Sequence, residues 1–143
     1  MGTRRHSRED ALKVLYQIEM TGQKPADALR AFWQCSESDE ESRGFAEFLV
    51  TGVTRDLARI DELISAHSTN WKLSRMAAVD KNILRMAVFE LMSCSETPAK
   101  VAINEAVDIA KRFGSSDSGA FVNGILDNVA RGISADGGEK SDV

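Results

Sequence analysis

Arg4, Arg5 and Arg8 open the chain at spacings suited to gripping a polyanion. Intervals of three and four residues set Arg8 beside both of the others wherever this segment is helical. Guanidinium groups donate paired hydrogen bonds to phosphate oxygens and stack on bases, so such an arm suits a single-stranded RNA track better than lysines would. Three phosphate contacts from it would give log affinity a slope near −2 against log salt, at about −0.7 per contact. Taken alone, the three arginines are read equally well as a solvated basic terminus. The first thirteen residues set Arg4, Arg5, Arg8 and Lys13 against Glu9 and Asp10, whereas the chain as a whole carries a net charge of −4. A polyanion site is therefore local, and a general duplex binder coated in positive potential is excluded.

Other chemistry is sparse. His6 and His67 are far apart, one in the basic arm and one in a polar stretch, and read as surface residues. Cys35 and Cys94 have neither CxxC spacing nor a histidine close by, so they read as spectator thiols of a protein expected in the reducing cytoplasm. Zinc spacing is missing. The acidic neighbours Asp61 and Glu62, or Glu40 and Glu41, point in different directions on a helix and read as solvated charges. Gly114, Gly119 and Gly124 make no phosphate loop, and no strand precedes them. The residues offer no catalytic machinery, no metal site and no cofactor site, and no apolar run of about eighteen residues is present to cross a membrane.

The elements that must position the arginines are helical. In residues 7–20, Ala11, Leu12, Leu15, Tyr16 and Ile18 fall at helical spacing, opposite Arg5, Glu9, Lys13 and Gln17. Gly22 ends that helix, and Pro25 suits the first turn of a short second one carrying Ala28, Leu29, Phe32 and Trp33. Residues 35–42 read as a loop whose acidic end favours the next helix N-terminus. An apolar stripe then runs through Phe45, Phe48, Leu49, Gly52, Val53, Leu57, Ile60, Leu63 and Ile64, predicting one long helix or one bent near Gly52.

Trp71 and Leu73 suggest a short packed turn. Residues 79–92 are apolar around more than half a circumference, as a central helix is, with Asp80, Lys81 and Arg85 as its exposed strip. Val101, Ile103, Ala106, Val107, Ala110 and Phe113 predict a further helix, closed by Gly114 in a left-handed cap. Phe121, Val122, Ile125, Leu126 and Val129 predict the last, ending at Gly132. The expected fold is all-α, a compact helical bundle or two small bundles sharing a core, with one domain in residues 1–132 and a disordered tail in residues 133–143.

Several spaced segments resemble the NusB family of transcription antitermination factors. Arg4-Arg5-His6-Ser7-Arg8-Glu9 leading to Leu15-Tyr16 is similar to that family's opening helix. Val79-Asp80-Lys81 with Ile83-Leu84-Arg85-Met86-Ala87-Val88-Phe89-Glu90-Leu91 resembles its central helix. The most specific stretch is Pro98-Ala99-Lys100-Val101-Ala102-Ile103-Asn104-Glu105-Ala106-Val107, continuing through Ala110-Lys111-Arg112-Phe113-Gly114 to Phe121-Val122-Asn123-Gly124-Ile125-Leu126-Asp127. In all, the resemblance runs from about Arg4 to Arg131; residues 24–42 match no family pattern.

The resemblance implies two small helical bundles and binding of boxA-type single-stranded RNA. It also implies pairing with the small-subunit ribosomal protein NusE, and a place with other antitermination factors on RNA polymerase during ribosomal RNA synthesis. By the same resemblance Arg4, Arg5, Arg8, Phe121 and Asn123 would contact RNA, and Asp80, with Arg85 and Glu90, would face the protein partner. Phe121 also belongs to an apolar period and is divided between core packing and base stacking. Asn123 could equally serve a helix cap, Asn104 is read as structural, and Arg85 has an internal carboxylate pair as its alternative. Two other functions stay open: a recognition module like the N-terminal part of certain RNA cytosine methyltransferases, and a protein-only adaptor. A homodimer masking the RNA face is a further possibility.

Overall fold

The computed structural model describes residues 2–136, which form seven α-helices and one 3-10 turn. They are α1 (Gly2–Thr21), α2 (Pro25–Cys35), α3 (Glu40–Arg55), α4 (Leu57–Ala66), α5 (Ala78–Ser93), α6 (Ala99–Phe113) and α7 (Ser118–Asp136), with the turn at Leu73–Arg75 before α5. Local chemistry sets several boundaries. Gly22, at φ +75°, donates its N–H to the Ile18 carbonyl and closes α1, a conformation that suits glycine. Pro25 sits in the first turn of α2, where its missing N–H costs nothing. The Asp39 carboxylate caps α3 by accepting from the Ser42 N–H at 2.9 Å, and that bond holds its pKa below the usual range.

The stripe predicted as one long helix is two. The break falls at Asp56, whose φ of −101° and ψ of 21° end α3 and start α4. Gly52 lies inside α3, four residues before the break. Its role is spatial: a Cβ there would fall within the Phe89 ring, so glycine lets α5 approach α3. Gly114 is likewise no left-handed cap. Its φ of −99° is ordinary, and what excludes a side chain there is Ser118, whose hydroxyl accepts from the Ser115 N–H. Gly132 does not stop α7, which continues to Asp136 with the His67 imidazole packed where a Cβ would stand. Helix therefore covers residues 133–136, placed in the tail by sequence; the rest of that expected tail, residues 137–143, lies outside the described residues.

Helix α5 is the axis of the molecule, buried through Ile83, Leu84, Met86, Ala87, Val88, Phe89 and Leu91. Against one side pack α1 and α3, with α2 covering them, and against the other α4, α6 and α7. The two small bundles thus share α5 and one continuous apolar core. Each large side chain removed from water there contributes about 1.5–3 kcal/mol toward offsetting chain entropy. Three residues expected on apolar helix faces are half-exposed instead, Tyr16 on α1, Phe48 on α3 and Val101 on α6.

Candidate nucleic-acid interface

The arginine arm belongs to the first turns of α1. Ser7 anchors it, its hydroxyl donating to the Ser42 carbonyl at 2.8 Å and so tying α1 to the start of α3. From that anchor the three arginines part company. Arg8 turns inward and is 5% exposed, with Nε and one terminal nitrogen each donating to a Glu90 oxygen at 2.8 Å. Glu90, on α5, is 2% exposed. Burial pulls the Arg8 pKa down, but the Glu90 bonds and charge outweigh it and the net direction is up. Arg8, expected at the RNA, and Glu90, expected at a protein partner, thus face each other, because a buried guanidinium needs a carboxylate.

Arg4 and Arg5 stay at the surface. The Arg4 guanidinium lies 3.9 Å from the centre of the Phe45 ring, in cation–π contact, and makes no ion pair among the described residues. Arg5 reaches α6, where Nε and one terminal nitrogen bond the two oxygens of Glu105 at 3.0 Å each and the same terminal nitrogen bonds Asp108 at 2.9 Å. The Glu105 hydrogen bonds and charge push the Arg5 pKa up, and the Arg5 bond in turn draws the Glu105 pKa down. A groove of about 490 Å³ runs beside both arginines, bounded by Glu41, Glu96, Pro98 and Val101. Arg8, although paired inward, also reaches its wall, so all three arginines of the arm border this groove.

The other two fall elsewhere. Phe121 and Asn123 sit two residues apart on α7 and so diverge by about 200° around the helix. Asn123 is exposed. Phe121 is partly buried and meets the exposed Trp71 edge to face, ring centres 5.7 Å apart, in a cleft also lined by Arg75, Asp80, Ser115 and Asp117. Asn104, read as structural, is exposed on α6.

Of the predicted partner residues, Asp80 lines that same cleft, and its Oδ1 is buried with no hydrogen-bond partner among the described residues. Lys81 and Arg85 do not form an exposed strip with it. Arg85 bonds Asp61 at 2.9 and 3.0 Å and approaches Glu19 at 3.4 Å, which is the internal alternative raised for it. Lys81 lies 2.6 Å from the other Glu19 oxygen. Burial raises the Glu19 pKa, but bonds from Lys81 and Asn82 more than reverse that and hold it low. On the same helix as Glu19, Tyr16 and Met20, four residues apart and so on one face, are 41% and 53% exposed. Sequence reasoning missed this apolar surface because Tyr16 fits the buried period. Among the described residues no three His, Cys, Asp or Glu side chains are grouped to hold a metal ion, and no helix is long and apolar enough to cross a membrane.

Comparison with known proteins gives a consistent result. The pattern of the NusB family matches residues 5–131. The "Transcription antitermination protein NusB" of Sorangium cellulosum (strain So ce56) is 47% identical over 133 residues, covering 93% of this chain and 95% of that protein. The protein of the same name from Anaeromyxobacter dehalogenans (strain 2CP-1) is 51% identical over 131 residues, covering 91% and 92%. Among solved structures, T. maritima NusB superimposes with a TM-score of 0.84 at 35% identity, covering 98% of this chain and 97% of that one. A chain from the crystal structure of antitermination factors NusB and NusE in complex with dsRNA gives 0.83 at 26% identity, covering 92% and 98%.

Proposed function

This chain belongs to the NusB family, and from that premise we propose that it acts as a transcription antitermination factor of the cytoplasm. It binds boxA-type RNA and the ribosomal protein NusE and supports RNA polymerase, together with other antitermination factors, in ribosomal RNA operons. It does so without bond-making, as a rigid helical platform on which RNA and protein are held side by side. The relationship to a NusB and NusE complex with RNA supports both partners.

The observation that carries the RNA reading is the pair Arg4 and Arg5 at the rim of one groove, on a helix whose next arginine is committed to the core. Exposed Asn123 on α7 and Phe121 in the Trp71 cleft add polar and aromatic contacts at separate points. Stacking of a base on an aromatic side chain contributes about 1–3 kcal/mol. Asp80 shares the cleft of Phe121, so RNA and the protein partner meet there. Arg85 and Glu90 serve the partner only by bracing α5 from within.

The test is a titration of boxA RNA against a scrambled strand, with and without NusE, across a salt series. With two surface arginines instead of three, the arm accounts for about −1.4 of the slope of log affinity on log salt. Arg4→Ala and Arg5→Ala should each flatten the slope by about 0.7. Binding of NusE without preference for boxA would instead favour the protein-only adaptor, and methyl transfer by the pure chain would favour the methyltransferase-related reading.

A further inference from the structure

The three hydrogen bonds on Arg5 are an odd investment for a surface residue. Its side chain is 46% exposed, and Asp108 is 50% exposed. Ion pairs in such settings contribute at most about a kilocalorie to stability. The arrangement also has a cost, since Glu105 and Asp108 stand three residues apart on one face of α6 and repel each other. Glu105 also stands 3.8 Å from the buried Arg8 and so helps balance its charge, but fold stability gives little reason for the further bond from Arg5 to exposed Asp108.

Chemically, the two carboxylates occupy the bonding edge of Arg5 as a ligand would. A carboxylate presents two oxygens to the guanidinium fork in the geometry that a phosphate also presents, and both form paired, charge-assisted bonds. Glu105 takes Nε and a terminal nitrogen, and Asp108 takes that terminal nitrogen again. A backbone phosphate can therefore reach Arg5 by this edge only by replacing a carboxylate. Arg4 is differently placed, with no carboxylate bound and its guanidinium resting on Phe45.

We propose that Glu105 and Asp108 are an internal competitor for the RNA phosphate at Arg5, so that RNA engages Arg4 directly but gains the paired Nε edge of Arg5 only by exchange. This rests on the RNA-binding reading above and deepens it. The competitor lowers the affinity of the arm for any RNA by the same factor, because phosphate contacts carry no sequence information. Its effect is to keep strands that lack additional base contacts below the threshold of binding, while the ratio between boxA and other sequences is set elsewhere.

The test uses the full chain, a boxA strand and a scrambled strand of equal length, at one fixed salt concentration. Asp108→Asn and Glu105→Gln each retain shape and remove a charge. Each should tighten both RNAs by about fivefold, the upper range of an exposed ion pair, and leave the preference for boxA unchanged. The same substitutions are then made in an Arg5→Ala background, where the gain should vanish. An equal gain in that background would mean that only bulk charge had changed and would overturn the proposal. No gain in either background, with Arg5→Ala still weakening binding, would overturn it while leaving the RNA-binding reading intact. Wild-type protein that ignores boxA RNA even with NusE present would sink both. Asp108, at the rim, can be altered with little effect on folding, so its variant decides the matter if Glu105→Gln unfolds.

Discussion

The Arg8 guanidinium and the Glu90 carboxylate lie edge to edge across the junction of α1 and α5, two bonds of 2.8 Å closing a pair that is almost wholly buried. Removing one partner strands a charge in the core. Arg8→Ala or Glu90→Ala should therefore destabilise the fold by roughly 3–5 kcal/mol. That corresponds to a fall in Tm of about 10 °C or more for a domain of this size. Joint replacement by apolar side chains, Arg8→Met with Glu90→Leu, should recover most of the loss. Thermal unfolding measures it, and RNA titration of the double variant checks the assignment. Unchanged RNA affinity is expected, whereas a loss as large as that of Arg5→Ala would return Arg8 to the binding surface.

Gly52 and Gly44 sit in the same helix under opposite constraints. A Cβ at Gly52 would overlap the fully buried Phe89 ring, while at Gly44 nothing lies within 4 Å. Alanine is favoured over glycine in a helix by about 1 kcal/mol. Gly44→Ala should accordingly stabilise by about 0.5–1 kcal/mol. Gly52→Ala should destabilise by roughly 1–3 kcal/mol, since α3 and α5 must separate or Phe89 must leave its rotamer. Urea unfolding of the two variants separates them by sign, and a stabilised Gly52→Ala protein would show that the helices part at no cost.

The helices were legible because each carries a 3.6-residue apolar period, and the all-α class follows from that alone. The division at Asp56 was not, since nothing in Thr54-Arg55-Asp56-Leu57 breaks a helix locally and the apolar stripe continues across it. Gly52 and Gly132 misled for a related reason: a glycine inside a helical pattern marks either a stop or a close approach, and only the neighbouring element decides. The arginines show where the site reading stopped. Arg8 precedes Ala11, Leu12 and Leu15 by three, four and seven residues, which continues the buried stripe backward, and Glu90 stands alone among Met86, Ala87, Phe89 and Leu91. Those two phase relationships were present in the sequence and together predict a buried pair. The carboxylates on Arg5 were out of reach, because they lie a hundred or more residues away on α6.

Asp80 differs from the other charged residues of α5 in that one of its oxygens is enclosed without a hydrogen-bond partner among the described residues. Leaving a carboxylate oxygen unsatisfied costs about 1–3 kcal/mol or more, so the free protein carries a penalty that an incoming donor relieves. Its position beside Phe121 and exposed Trp71 makes the cleft the place for that donor, and NusE the partner expected to bring it. Asp80→Ala should leave the unbound protein equally stable or slightly more so, because no bond within the chain is lost with that oxygen. The same change should weaken NusE binding by about tenfold or more, the range for a hydrogen bond to a charged group. RNA binding measured without NusE should change far less, and in the direction of tighter binding, since a carboxylate leaves the cleft. Calorimetric titration with NusE, paired with thermal unfolding of the free chain, reads both quantities. Unaltered NusE affinity, or a free protein destabilised by the substitution, would place the Asp80 carboxylate among the internal braces with Arg85 instead.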